Sequence, residues 1–187
     1  MGLRDRFGDD EMKLGVIAES GDETRVAIVP NSIPKLSKLG FEVSIESGAG
    51  RHSHHSDSQY EAKGASITTR EEAMACDVLI CIGAPDFSSL SEGQIVACVS
   101  DPFRHPERIR QAMDAKVTLM SMDMIPRRLS RAQAMDVNSS QDNLAGYKAV
   151  LMGAAQVPKG IPMMTTSAGT VRPAKFVIMG SGVAGLQ

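Results

Sequence analysis

Apolar positions along this chain follow two rhythms that alternate. Short apolar runs occur at "KLGVIAE" (13–19), "FEVSIE" (41–46), "CDVLICIG" (76–83), "QIVACVS" (94–100) and "KVTLMSM" (116–122). Each has the length of a strand. Between them lie segments with helical spacing: "SIPKLSKLG", with Ile33, Leu36 and Leu39 on one stripe and Gly40 as a stop, and "HPERIRQAMDA", with Ile109 and Met113 on one face. The alternation predicts parallel strands joined by helical crossovers, a five-strand doubly wound α/β lobe of Rossmann or flavodoxin-like type over residues 14–125.

Residues 126–160 then read as a polar loop and a connecting helix. The longest helical pattern in the chain covers 131–157, with Leu144, Tyr147, Val150, Leu151 and Ala154 at spacings of three and four, and "VPKGIP" stops it. Tyr147 is expected to pack on that helix rather than to touch a ligand. "MMTTSAGTVRPA" reads as loop, and "KFVIMG" (175–180) as a short apolar strand. The strand leads into "GSGVAG" (180–185), a Gly-x-Gly-x-x-Gly phosphate cradle whose following helix is missing. Residues 161–187 are therefore expected to be the start of a truncated second Rossmann lobe, and residues 1–13 a flexible N-terminal extension.

Composition narrows the functional classes. With 187 residues, 42% apolar and 22% charged, the chain is ordinary globular material, and a formal charge of −2 with a pI near 6.1 gives no electrostatic reason to expect a nucleic-acid partner. Cys76, Cys81 and Cys98 lie in apolar surroundings without C-x-x-C spacing, as small buried hydrophobes of a reducing compartment do. The opening "MGLRDRFGDDEMK" has neither the apolar core of a signal peptide nor the hydroxyl residue of a myristoylation site. No apolar run reaches the roughly 20 residues needed to cross a bilayer.

The densest polar signal is "MDMIPRRLSRAQAMDVNSSQDNLAGYKAV", which carries Arg127, Arg128, Ser130, Arg131, Gln133, Asp136, Ser139 and Ser140 between a strand and a helix. Two readings stand on spacing alone. Ser or Asp at a helix start satisfies free backbone N–H groups, and arginines beside a helix are usually solvated. Alternatively, the loop faces the crevice at the carboxyl edge of a parallel sheet, where such folds bind ligands. "RHSHHSD" (51–57) carries His52, His54 and His55 without the i, i+4 pair or Cys partners of a metal site, and reads as an exposed loop with no metal.

"IPRRLSRAQAMDVNSSQDNLAGYKAV" followed by "AGTVRPAKFVIMGSGVAGLQ" resembles the alpha subunit of the proton-translocating NAD(P) transhydrogenase family, and specifically its NAD(H)-binding domain I. "GVIAESGDETRVAIVPNSIPKLSKLGFEVSIESGAG" carries the matching amino-terminal signature, the run at Thr24 to Pro30 and the glycine-rich run at Gly40 to Gly50. The likeness spans residues 14–187. It implies Re/Si-specific hydride transfer from NADH to NADP+, coupled to proton passage across a membrane. It implies partners as well: a membrane domain, an NADP(H)-binding domain or beta subunit, and a second copy in a homodimer. It places the chain at the cytoplasmic face of the inner membrane. By the same resemblance Gln133, Asp136 and Ser139 match the family's catalytic loop. "PRRLS" has one residue more than the family pattern; Arg128 keeps the spacing to Gln133 and is preferred, while Arg127 keeps the contact with Pro126. Gly180, Gly182 and Gly185, with Val183 among them, match the NAD(H) cradle. In that family the glycine motif opens the second of two lobes, so the chain reads as a fragment, inactive alone.

Two rivals remain. The related alanine dehydrogenases share the signatures, and Arg25 matches their substrate-carboxylate arginine, here expected to be structural. Their catalytic lysine and histidine fall where this chain has "LICIGAP" and "IVACVSDPF", and His105, five residues past Ser100, is a poor substitute. The second rival is a non-catalytic α/β interaction module.

Overall fold

The computed structural model describes residues 12–187. Most of the foreseen N-terminal extension lies outside the described residues, but Met12 and Lys13 do not belong to it: they open the first strand. The chain divides into two compact units, one ending at Ile125 and the other spanning Pro126–Gln187.

In the first unit β1 (Met12–Val16), β2 (Phe41–Glu46), β3 (Ser66–Thr68), β4 (Val78–Gly83), β5 (Ile95–Val99) and β6 (Thr118–Ser121) form one parallel sheet in the order β3-β2-β1-β4-β5-β6. This is the Rossmann order, with its reversal between β1 and β4. The sheet has six strands, one more than the apolar runs predicted, because β3 is a three-residue edge strand too short and too polar to register as a run.

Strand alternation sorts the apolar side chains onto the two faces. Leu14, Val16, Val43, Ile45, Val78 and Ile95 pack on one side with Ile33 and Tyr60. Ile17, Leu79, Cys81, Val96 and Cys98 pack on the other with Ala73, Phe87 and Ala112. Leu14, Val16, Ile33 and Ile45 are fully buried, each contributing about 1.5–3 kcal/mol relative to exposure. Close packing also demands Gly15: a Cβ there would stand 1.9 Å from the carbonyl oxygen of Ala73, so a helix backbone lies directly on β1.

The covering helices are α1 (Ile33–Lys38), α2 (Asp57–Glu61), α3 (Arg70–Met74) and α4 (Pro106–Asp114). At α3 the Thr69 hydroxyl accepts from the Glu72 N–H while the Glu72 carboxylate accepts from the Thr69 N–H, a reciprocal cap. Gly40 follows α1 with φ +90°, the stop expected of it. Two predicted core positions are corrected. Leu39 caps α1 and is 67% exposed, and Met113 is 72% exposed because Ala112, one residue and about 100° around the helix, is the side chain that faces the core.

In the second unit α5 (Val137–Gln156) is the long helix. The stretch read as loop instead holds an antiparallel hairpin, β7 (Met164–Thr166) with β8 (Gly169–Val171), turning through Gly169 at φ +123°. Lys175–Gly180, read as a strand, belongs to no sheet, since no neighbouring segment pairs with it; Met179 is 94% exposed. The glycines are followed by one helical turn, α6 (Val183–Leu186), where none was expected. Gly146 of α5 is buried because the carbonyl of Ala184 would lie 2.2 Å from any Cβ. Leu144, Val150 and Leu151 are exposed, as is Tyr147 at 56%, which corrects the packing role expected of it. Among the described residues no helix is long and apolar enough to cross a membrane.

Candidate functional site

The polar turn opens the second unit as a series of tight backbone turns. The N–H of Leu129 donates to Pro126 C=O, that of Ala132 to Leu129 C=O, and that of Met135 to Ala132 C=O, the last within a 3₁₀ turn over Gln133–Met135. Ala132 is the buried pivot. Arg127, Arg128, Ser130, Arg131 and Gln133 are exposed around it, whereas Asp136 and Ser139 are half-buried.

Asp136 is the N-cap of α5. Its Oδ1 accepts from the Ser139 N–H at 2.9 Å, and the Ser140 hydroxyl donates to Val137 C=O at 3.0 Å. The Ser139 hydrogen bonds hold the Asp136 carboxyl below the usual carboxylate range, and the Arg127 charge adds to the effect, so the group is an anion at neutral pH. The structure thus joins Asp136 to Ser139 and brings the Arg127 charge to bear on Asp136. It does not join Arg128 or Gln133 to them: among the described residues neither side chain has a hydrogen bond or ion pair.

The glycine turn has a distinct job for each glycine. Gly180 takes φ +132°, closed to other residues without strain. Gly182 is the N-cap of α6, and no heavy atom lies within 4 Å of where its Cβ would stand, so any side chain would fill that space. Gly185 sits against the Gly180 carbonyl, 2.2 Å from a Cβ that it lacks. Val183 is the first residue of α6. A sharp turn, an open cradle and a close backbone approach are what a pyrophosphate requires of such a sequence.

In the first unit the carboxyl edge is occupied by the chain's own charges. At the reversal between β1 and β4, Glu19 accepts from the backbone N–H groups of Ile82 at 2.6 Å and Gly83 at 3.0 Å. Glu46, at the end of β2, accepts from the Ala18 N–H at 2.7 Å and from Arg70 at 2.9 Å, and Arg70 also donates to Ala18 C=O. Sequence reasoning missed all three residues, because their partners lie 24 to 64 positions away and leave no local pattern.

Arg25 is committed to Glu23 through two side-chain bonds, at 2.8 and 2.6 Å, which hold the Glu23 carboxyl down to about 2. His105 sits at the start of α4 with its Nδ1 3.0 Å from Glu107. Among the described residues no group of His, Cys, Asp and Glu side chains is placed to hold a metal ion. Cys76, Cys81 and Cys98 are free and buried.

Family models place the chain. The model described as "Alanine dehydrogenase/PNT, N-terminal domain" matches residues 15–145, and "Alanine dehydrogenase/PNT, C-terminal domain" matches residues 149–187. An NAD(P) transhydrogenase alpha subunit of Rhodospirillum rubrum is 40% identical over 175 residues, covering 88% of this chain and 45% of that protein. The alanine dehydrogenase of Mycobacterium tuberculosis is 28% identical over 184 residues, covering 93% and 48%. The crystal structure of transhydrogenase from Sinorhizobium meliloti superposes with a TM-score of 0.88 at 42% identity, over 93% of this chain and 53% of that one. An L-alanine dehydrogenase structure shares the fold, with a TM-score of 0.80 at 23% identity over 94% and 50%. The chain spans between about a third and a half of the length of the curated relatives it matches. Since the N-terminal-domain model matches residues 15–145, most of its length, the chain belongs to the alanine dehydrogenase/PNT family.

Proposed function

We propose that this chain is the N-terminal portion of an NAD(P) transhydrogenase alpha subunit that transfers hydride from NADH to NADP+, Re/Si-specifically, in a complex that couples the transfer to proton translocation. The relatives named as transhydrogenase alpha subunits support this reading. One observation carries it: an ionised aspartate fixed at the start of α5, in the same polar turn as Arg128 and Gln133, whose exposed side chains have no partner among the described residues.

The residues fit a dinucleotide. Gly182 faces open space at the start of the last helical turn, Gly185 packs on the Gly180 carbonyl where no Cβ fits, and Val183 begins that turn. NAD(H) bound there supplies the nicotinamide ring that gives up or accepts the hydride. Everything else falls to the protein, because hydride transfer needs the two ring carbons held within about 3 to 3.5 Å with the right faces opposed. Arg128 would hold the carboxamide, Asp136, fixed by Ser139, would orient that arginine, and Gln133, on the exposed side of the turn, would reach the nucleotide of the partner domain. No proton moves to or from carbon, so none of these residues acts as a general base.

NADP(H) belongs to a partner domain or beta subunit in this reading, the chain sits peripherally at the cytoplasmic face of the inner membrane beside a membrane domain, and the alpha subunit is a homodimer. The test uses a complete transhydrogenase carrying this chain, mixed with the NADP(H)-binding domain. Gln133→Ala and Arg128→Ala should each slow nucleotide-to-nucleotide reduction by about 10²-fold, with Arg127→Ala milder. Reduction of NAD+ driven by L-alanine would instead make the protein an alanine dehydrogenase.

A further inference from the structure

The histidine-rich loop that follows β2 has no role in the reading above, yet it lines an open surface depression of about 680 Å³. Its walls include Ser47, Arg51, His54, His55, Ser56 and Asp57. All follow the carboxyl end of β2, the edge of a parallel sheet at which ligands bind.

The charge inventory favours an anion. Asp57 is the one acid in the lining, and both its oxygens are taken, by the Ser47 hydroxyl at 2.8 Å and the Gly48 N–H at 2.9 Å. The Arg51 side chain has no hydrogen bond or ion pair among the described residues, and neither has that of His54. The His55 ring stands nearly perpendicular to that of Tyr60, with centroids 6.3 Å apart. The Ser56 and Ser58 hydroxyls lie 2.9 Å apart and share one proton between them, so the other proton is free to be donated. His54 holds φ +61°, a left-handed conformation uncommon for a side-chain-bearing residue and one that clusters at ligand clamps.

We propose that this depression binds a small phosphate monoester. Arg51 is the permanent cation, the His54 and His55 rings offer N–H donors, and the Ser56–Ser58 pair supplies a hydroxyl donor. The depression is larger than a bare phosphate ion needs, which is why an ester is named. None of these residues takes part in the proposed hydride transfer, so the two readings stand or fall separately.

The test follows the imidazole carbon-bound protons of the full chain by NMR. It has four histidines, and His105, outside the depression, is the internal control. Inorganic phosphate and glycerol 3-phosphate are titrated separately at constant pH, with chloride at matched ionic strength. His54 and His55 should shift saturably while His105 stays still, with glycerol 3-phosphate binding at least as well as phosphate. Arg51→Ala should weaken binding by at least about 5-fold and Arg51→Lys should restore part of it, since the charge returns without the fork. Arg51 is exposed and unpartnered, so these variants keep the fold. Shifts matched by chloride, an affinity indifferent to Arg51→Ala, or exclusion of the ester overturns the proposal.

Discussion

Glu19 is where the first unit can be tested most sharply. Its carboxylate ties the segment after β1 to the end of β4 through two backbone N–H groups, at 2.6 and 3.0 Å, across the point where the strand order reverses. Hydrogen bonds to a charged group contribute about 1.5–3 kcal/mol each. Glu19 is only half-buried, so water partly replaces what is lost, and Glu19→Ala should cost about 2–4 kcal/mol in total. Glu19→Gln keeps one acceptor oxygen but turns an amide NH2 toward the other N–H, and should recover at most half. Urea unfolding followed by circular dichroism measures the total. Amide hydrogen exchange at Ile82 and Gly83 measures the site itself, where a loss of about 2 kcal/mol means exchange faster by about 30-fold. If Glu19→Ala changes stability by less than about 0.5 kcal/mol and leaves both amides protected, the carboxylate does not hold the reversal point together.

Three further outcomes are expected. Tyr60→Phe removes the hydroxyl that donates to Ile28 C=O at 2.8 Å and should cost about 1–2 kcal/mol in urea unfolding. The phenol itself is pushed up to about 12, mainly by burial and then by the Asp57 charge; the stability it contributes is whole below its ordinary value of 10.0 and disappears as pH rises through 12, which phenolate absorbance against pH will follow. Glu23, held near 2 chiefly by its bonds to Arg25, contributes above its ordinary value of 4.5 and loses that contribution as pH falls through 2. Because the pair is partly exposed the effect should stay below about 1 kcal/mol, and Glu23→Gln should abolish it in acid unfolding curves. The buried thiols should ignore a thiol reagent until the protein unfolds, since the Cys81–Cys98 hydrogen bond and burial keep Cys81 protonated far above the usual thiol range.

What the sequence showed depended on the length of the signal. "FEVSIE" read as a strand at 41–46, the bounds it has in the structure, because six residues of alternating apolar character leave little freedom. Ser66–Thr68, Asp57–Glu61 and Arg70–Met74 escaped because three to five residues carry no period. The capping pairs of the two helices, Ser56 with Gln59 and Thr69 with Glu72, went unread with them. The Met164–Val171 hairpin was hidden behind small and hydroxyl residues that mark loops as readily as turns between short strands. At the site, the polar turn stood out by density, and Asp136 through the family resemblance; the helical pattern read over 131–157 begins only at Val137, with Asp136 as its cap. The Glu19, Glu46 and Arg70 assembly could not stand out, since tertiary structure alone brings those groups together.

The central claim is that the turn over residues 126–139 orients one nicotinamide against another rather than merely starting a helix. The direct measurement is the single-turnover rate of hydride transfer in the complete complex with Arg128, Gln133 and Asp136 all replaced by alanine, taken alongside NAD(H) affinity at the glycine turn. The account predicts a rate lower by at least about 10²-fold with affinity largely retained. An unchanged rate at full occupancy would contradict it.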